Sequence, residues 1–163
     1  MEVKQATEIR ELDCLYKKVD TLYYDLAVKI GFSNSGFLIL YSIAEFGSGC
    51  VQKDISEKYS ISPQTLSSSI RNLEKEGYIY LRRGYGRNMH LFLTPLGERF
   101  VSQIIHPLME AENKVFTLMT PEETALLLQL TRKYVDTLTN QVRSLSVPKK
   151  EDIQNENTID RPF

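Results

Sequence analysis

Apolar residues recur at alternating spacings of three and four in the first part of the chain, which places them on one face of a helix. The stripe predicts a helix over residues 8–30 and comprises Leu12, Leu15, Val19, Leu22 and Leu26. Gly31 suits the end of that helix. Ser33 or Ser35 can cap a second helix, which should reach about Phe46 before the following glycines interrupt it.

The next segment predicts two short helices separated by a tight turn. A four-residue apolar repeat indicates the first, over residues 51–60. Ser62 and Pro63 then begin the second, because the serine hydroxyl caps a free amide and proline at the first helical position loses no hydrogen bond. This second helix should extend over residues 62–76 and stop at Gly77.

A β-hairpin should follow directly. Residues 78–83 and 88–93 are rich in aromatic and branched side chains, and they flank a Gly-Tyr-Gly-Arg turn. A helix-turn-helix followed by a hairpin is the element order of a winged helix. The pattern therefore predicts a mainly α fold with a small β-hairpin wing, and it assigns the winged helix-turn-helix to residues 32–94.

The C-terminal part is predicted to be helical. A cap followed by proline starts a helix over residues 94–119, and Pro107 should kink it because its ring removes one backbone bond. A Thr-Pro-Glu-Glu capping box starts the last helix, over residues 120–145. Residues 148–163 contain too few apolar groups to pack and are predicted to form a polar tail.

Charge is distributed unevenly along the chain. The 163 residues, a usual length for one domain, carry a formal net charge of only −1. Between Arg71 and His90, however, the sequence contains five basic and two acidic residues, a local excess of three positive charges. Concentrated basic charge matters more than the total for a nucleic-acid partner.

The second helix of the helix-turn-helix has an outer face of hydroxyls, amides and cations. Its predicted DNA-contacting residues are Ser62, Gln64, Thr65, Ser67, Ser68, Arg71, Asn72 and Lys75. Such groups suit double-stranded DNA, because the major groove admits one helix whose arginine and amide side chains can pair with base edges. The same face could be an ordinary solvated surface, but the adjoining helix and Arg-rich hairpin favour the DNA interpretation.

Other function classes find little support in the sequence. Neither a signal peptide nor a stretch of about 18 apolar residues is present, so we expect a cytoplasmic protein without a membrane partner. Cys14 and Cys50 should be reduced thiols. His90 and His106 lack the neighbours of a metal or nucleophile site, and no phosphate-binding glycine loop is present. We therefore expect no enzyme activity, no metal and no cofactor.

The most specific stretch resembles the MarR family of bacterial transcriptional regulators, and the match extends from about Leu12 to Leu145. The family pattern comprises a QK-D/E-I/L helix, an S-x-x-T-L recognition helix, an LE-x-x-G-Y/L-I exit, and a wing arginine before L-T-x-x-G. These motifs stand here at residues 52–55, 62–66 and 73–79, and at Arg87 before residues 93–97.

The resemblance implies that wing arginines contact DNA, with Arg87 entering the minor groove. A narrow, electronegative groove would attract that side chain on physical grounds. Arg82 and Arg83 complete the predicted wing contacts. The family wing usually reads D-x-R, whereas this chain has Tyr85 in place of the aspartate, so Arg87 lacks the carboxylate that would orient it.

The resemblance further implies a homodimer built from residues 1–31 and 95–147. Long apolar stripes on these helices agree with that implication, because they offer more apolar surface than one small domain can cover.

Many family members also release DNA when a small, often aromatic, ligand binds between the dimer helices and the DNA-binding lobe. The residues expected at such an effector pocket are Tyr16, Tyr23, Tyr24, Phe37 and Tyr41, although aromatic residues at helical spacing are more often core. Some relatives sense peroxide through a cysteine on the first helix, which makes Cys14 a redox candidate beside the simpler view of a packed thiol.

The predicted function is thus that of a transcriptional regulator, expected to be a repressor, which binds an inverted-repeat operator as a homodimer and is released by a small ligand. The alternative is a winged-helix interaction module that does not bind DNA, since a fold does not determine function.

Overall fold

The protein is described by a computed structural model over residues 3–84 and 88–150. The chain forms two compact units, divided between Glu112 and Asn113. Its elements are, in order, α1 (Thr7–Lys29), α2 (Asn34–Phe46), β1 (Cys50–Val51), α3 (Gln52–Tyr59), α4 (Pro63–Lys75), β2 (Ile79–Arg83), β3 (Met89–Leu93), α5 (Pro95–Phe100), a π-helical turn (Val101–Ile105), α6 (His106–Thr117) and α7 (Pro121–Arg143). The described chain is mainly α with a small antiparallel sheet, which confirms the predicted winged-helix fold class.

Four helices begin at the capping residues that the sequence indicated. Ser33 accepts a hydrogen bond from the Gly36 amide, which decides between the two serines considered for α2. Ser62, Thr94 and Thr120 cap α4, α5 and α7 in the same way, each followed by proline at the first helical position. These starts are encoded locally, because a short hydroxyl side chain satisfies an amide that the helix itself leaves free.

The sheet has one strand more than the predicted hairpin. Its order is β1-β3-β2, with Ile79 opposite Leu93 and Arg83 opposite Met89 in the hairpin. Val51 was predicted to begin the short helix, but it belongs to β1 and lies opposite His90. Helix α3 begins one residue later, because the backbone of Cys50 and Val51 is extended to pair with β3.

Two clusters of buried side chains hold the first unit together. The larger cluster surrounds the helix-turn-helix and includes Ile43, Ile55, Leu66, Leu73 and Leu91 from α2, α3, α4 and β3. The smaller comprises Ala27, Phe37, Val101 and Ile105. Because α2 contributes to both, it connects the helix-turn-helix with α1 and the π-helical turn.

The long predicted helix contains a local change of geometry before its proline. The His106 amide donates to the Val101 carbonyl, a five-residue bond that is typical of a π turn. Pro107 follows in α6 and has no amide to donate. The widened turn thus immediately precedes the residue that cannot complete an α-helical ladder.

No single helix within residues 3–84 and 88–150 combines the length and apolar character needed to cross a bilayer. Helices α1 and α2 meet those criteria only when they are taken together, across a 97° bend.

Candidate nucleic-acid interface

Helix α4 separates an apolar inner face from a polar outer face. Leu66, Ile70 and Leu73 are buried in the larger core cluster. Seven of the eight predicted contact residues on this helix and its cap are exposed: Ser62, Gln64, Thr65, Ser68, Arg71, Asn72 and Lys75. A single helix face thus presents hydroxyls, amides and two cations to solvent, as major-groove recognition requires.

Ser67 differs from the other predicted contact residues. It is half-buried, and its hydroxyl accepts a hydrogen bond of 2.8 Å from the side-chain amide of Gln52 at the start of α3. The same amide group lies 3.3 Å from the carbonyl oxygen of Pro63. Gln52 therefore joins the two helices of the helix-turn-helix and holds α4 at one orientation. Sequence analysis found Gln52 only as part of a motif and not as a positioning residue.

A second polar contact holds α4 from behind. The Ser69 hydroxyl is buried and lies 2.7 Å from the hydroxyl of Ser35 in α2. The inner face of α4 is therefore not entirely apolar, because one hydroxyl pair replaces a packing contact. A buried polar pair of this kind fixes the position of α4 relative to α2, since shifting either helix would leave a hydroxyl without a hydrogen-bond partner.

The two described wing arginines occupy opposite faces of the hairpin. Arg82 and Arg83 are both exposed, but neighbouring residues of a strand point to opposite sides. The Arg82 guanidinium lies 5.2 Å from the centre of the Tyr80 ring and 5.6 Å from that of Phe92, and the two rings are stacked across the strands. Arg82 is thus supported by an aromatic pair. Arg87, the third predicted wing contact, lies outside the described residues.

His90 connects the hairpin to the strand that precedes α3. Its Nδ1 lies 2.6 Å from the carbonyl oxygen of Gly49, and its ring covers Gly84 so closely that a β-carbon there would lie 2.1 Å from Nε2. Gly49 itself has a φ of +95°, a conformation that favours glycine. The base of the wing is therefore held by contacts with the first strand.

A pocket of about 340 Å³ is lined by residues of α1, α2, α3 and α6, all within the first unit. Three of the predicted effector residues line it, namely Tyr23, Phe37 and Tyr41. Tyr16 and Tyr24 do not line it; they lie exposed on α1. The remaining lining residues were missed by sequence analysis and are Leu38, Glu45, Lys58, Tyr59 and Glu112.

Glu112 of α6 joins two of these tyrosines. The Tyr23 hydroxyl donates to its Oε1 at 2.7 Å, and the Tyr41 hydroxyl donates to its Oε2. Burial, together with these bonds and the carboxylate charge, raises the pKa of Tyr23 to about 12 and raises the pKa of Tyr41 further. Both phenols are therefore neutral donors at physiological pH, and they connect α1, α2 and α6 through one carboxylate.

The two cysteines have different environments. Cys14 is exposed on α1, whereas Cys50 is buried in β1, where burial and the nearby Asp54 carboxylate raise the pKa of its thiol to about 11. Over residues 3–84 and 88–150, no group of three or more His, Cys, Asp and Glu side chains is arranged to hold a metal ion.

Comparisons with known proteins bear on the family and on the fold. The model of the MarR family matches residues 32–84, which include α2, the helix-turn-helix and the first wing strand. No curated protein sequence matches the chain.

Solved structures share the fold over most of this chain. A MarR family regulator from Neisseria meningitidis is 22% identical with a TM-score of 0.71, over 85% of this chain and 98% of that one. A MarR family transcriptional regulator from Listeria monocytogenes, complexed with 26mer DNA, is 20% identical with a TM-score of 0.64, over 90% and 99%. The S. aureus MepR–DNA complex is 21% identical with a TM-score of 0.62, over 82% and 99%. The resemblance predicted from the sequence motifs is therefore confirmed: residues 32–84 match the MarR family model, and the chain has the fold of MarR family structures.

Proposed function

We propose that this protein is a DNA-binding transcriptional regulator that binds an inverted-repeat operator as a homodimer. Helix α4 enters the major groove and the hairpin contacts the adjacent backbone and minor groove. Occupying an operator excludes the transcription machinery from it, so the regulator acts as a repressor. A small ligand in the pocket beside α2 releases the DNA.

The observation that carries this proposal is the outer face of α4. Arg71, Asn72 and Lys75 are exposed together with the hydroxyl and amide side chains of the preceding turns. Their helix is held rigidly by the Gln52–Ser67 bond and by the Ser35–Ser69 pair. A rigid helix with unengaged amide and guanidinium groups is the arrangement that direct readout of base edges needs.

Exposed apolar side chains support the homodimer. Leu15, Val19 and Leu22 of α1 are each more than half exposed. Helix α7 presents an apolar stripe of its own, whose exposed members include Leu127, Leu130, Leu138, Val142 and, just beyond the helix, Leu145. Surfaces of this extent are usually covered in solution, and a two-fold dimer would cover them while supplying two DNA-reading helices. This proposal keeps the grouping of residues 1–31 with 95–147 as the dimerisation region and 32–94 as the DNA-binding domain.

Fluorescence anisotropy with a DNA fragment from upstream of the protein's own gene tests the proposal. We expect binding whose logarithmic affinity falls against the logarithm of salt concentration with a slope of roughly −0.9 per phosphate contact, near −5 for about six contacts. No binding to any upstream fragment, or a slope near zero, would support the interaction-module alternative instead.

Replacing the central cation of the α4 face tests the residue assignment. Arg71→Ala should weaken operator binding by about 1 to 3 kcal/mol, since a bidentate base contact is lost. Its melting temperature should stay close to that of the wild type, because Arg71 is exposed. Arg10→Ala, which removes an exposed arginine at the start of α1, is the matched control and should retain wild-type affinity. If Arg71→Ala bound the operator as tightly as the wild type, the assignment of α4 to the DNA interface would be wrong.

A further inference from the structure

The pocket beside α2 carries a net negative charge. Its charged lining residues are Glu45, Lys58 and Glu112. The Lys58 ammonium forms an ion pair with Glu45, which leaves Glu112 as the charge without an opposite partner. Among the described residues, Glu112 makes no salt bridge, and its oxygens accept bonds only from neutral phenols.

The remaining walls of the pocket are mostly aromatic. Four rings line it, from Tyr23, Phe37, Tyr41 and Tyr59, together with the Leu38 side chain. The face of an aromatic ring is negative and attracts cations. The Tyr23 and Tyr41 phenols donate to Glu112 and are uncharged at neutral pH, so they add no formal charge of their own. The Glu112 carboxylate and the faces of the aromatic rings therefore both favour a ligand with a positive charge.

An anionic ligand would find less support. The only cation in the lining, Lys58, is already bonded to Glu45 and lies 4.9 Å from the centre of the Phe46 ring and 5.4 Å from that of Tyr59. A carboxylate or phenolate would have to share that ammonium with Glu45 and would also lie in the same pocket as Glu112. Both contacts are unfavourable, because they bring like charges together.

We propose that this pocket binds a small organic cation that carries an aromatic ring, with its ammonium group against Glu112 and its ring among Phe37, Leu38 and Tyr41. As an effector site it rests on the proposed DNA-binding function, because the ligand's role is to release DNA. The binding chemistry itself rests only on the pocket.

The pocket is also placed to affect the recognition helix. One wall is α2, which also contacts α4 through Ser35 and Ser69. Another wall is the last turn of α3, and the Lys58–Glu45 ion pair joins that turn to α2. A cation against Glu112 therefore acts on α2, because the Glu112 carboxylate accepts the hydrogen bond of Tyr41 in that helix.

Isothermal titration calorimetry with three probes of similar size tests the charge preference. The probes are benzyltrimethylammonium as the cation, benzyl alcohol as the neutral compound and benzoate as the anion. We expect the cation to bind at least about tenfold more tightly than benzoate, with benzyl alcohol between them. Benzoate binding as tightly as the cation, or no binding of the cation, would overturn the proposal.

Variants locate the site. Glu112→Gln keeps a side chain that can hydrogen-bond both tyrosines but removes the charge, so affinity for the cation should fall about tenfold with little change for benzyl alcohol. Glu110→Gln, an exposed residue on the same helix outside the pocket, is the control and should bind like the wild type. Glu45→Gln should shift the preference towards benzoate, because it frees Lys58. Unchanged cation affinity in a folded Glu112→Gln protein would contradict the assignment.

The same probes distinguish failure of this inference from failure of the proposed function. If the protein binds operator DNA but the cation does not bind to it, the inference is wrong and the DNA-binding function stands. If the cation binds in a Glu112-dependent way but no DNA is bound, the pocket chemistry stands and the regulatory function is wrong. If both bind, the cation should lower operator affinity in the wild type and much less in Glu112→Gln.

Discussion

Thr94 is the residue at which the end of α4, the hairpin and α5 meet. Its hydroxyl lies 2.5 Å from the Gly77 carbonyl and 3.2 Å from that of Tyr78, and it also accepts a bond from the Gly97 amide. Gly97 packs against the same segment so tightly that a β-carbon would lie 2.1 Å from the Tyr78 carbonyl oxygen. The Leu-Thr-x-x-Gly motif is thus explained by packing rather than by DNA contact.

Gly97→Ala should lower the free energy of unfolding by about 1 to 3 kcal/mol, because the added methyl group meets backbone that cannot rotate away. Urea unfolding of the purified protein measures this change. Glu98→Ala, at the neighbouring exposed position, is the control and should remain within about 0.5 kcal/mol of the wild type. An equally stable Gly97→Ala protein would show that the close approach is absent in solution.

Because the pKa of Tyr23 is raised in the folded protein, we expect the free energy of unfolding to fall at alkaline pH. The folded state raises the pKa of Tyr23 to about 12, from an ordinary value near 10, so it holds the phenol proton more tightly than the unfolded chain does. The associated stabilisation is complete below about pH 10 and is lost as the pH rises towards 12. In urea unfolding, the free energy of unfolding should fall less between pH 8 and pH 11 for Tyr23→Phe than for the wild type. Tyr24→Phe, which changes an exposed neighbour, should lose as much stability as the wild type. An identical loss in all three proteins would contradict the prediction.

At the scale of elements, short-range signals determine where helices start. Ser33, Ser62, Thr94 and Thr120 all cap helices as their local sequence indicated. Strand β1 had no comparable signal, because two residues are too few to show alternation and its pairing with β3 spans about 40 positions. The π-helical turn before Pro107 was likewise hidden, since a proline within a helix predicts a disturbance but not its geometry.

The capping box of α7 offers a test at this scale. Thr120 accepts from the Glu123 amide at 3.2 Å, and the Glu123 carboxylate accepts from the Thr120 amide at 2.8 Å. Thr120→Ala should therefore destabilise the protein by about 1 kcal/mol in chemical unfolding at a constant protein concentration. Thr137→Ala, at an exposed position inside the same helix, removes a threonine without removing a cap and should have a smaller effect. Equal losses for the two variants would show that the box contributes nothing.

At the scale of the whole molecule, the exposed apolar stripes predict the oligomeric state. Light scattering at micromolar concentration should give the mass of a dimer. Replacing Leu130 and Leu138 of α7 with glutamate should shift the mass towards that of a monomer, because charges would then be buried in the interface. Gln129→Glu adds a charge next to Leu130 in the sequence, on a polar residue outside the apolar stripe, and should leave the dimer intact. A monomer mass for the wild type would contradict the proposed dimer.

Local sequence patterns predicted the order of the helices and the hairpin, the helix caps and the polar outer face of α4, because these depend on residues a few positions apart. Three features became visible in the folded protein alone: the Gln52–Ser67 bond, the pairing of β1 with β3, and the bonds from Tyr23 and Tyr41 to the Glu112 carboxylate. The tyrosine bonds join residues 89 and 71 positions apart, and no local periodicity encodes such a pairing. Sequence motifs thus indicated the surface that we propose to bind DNA, whereas the charge of the pocket beside α2 emerged only when distant helices were brought together.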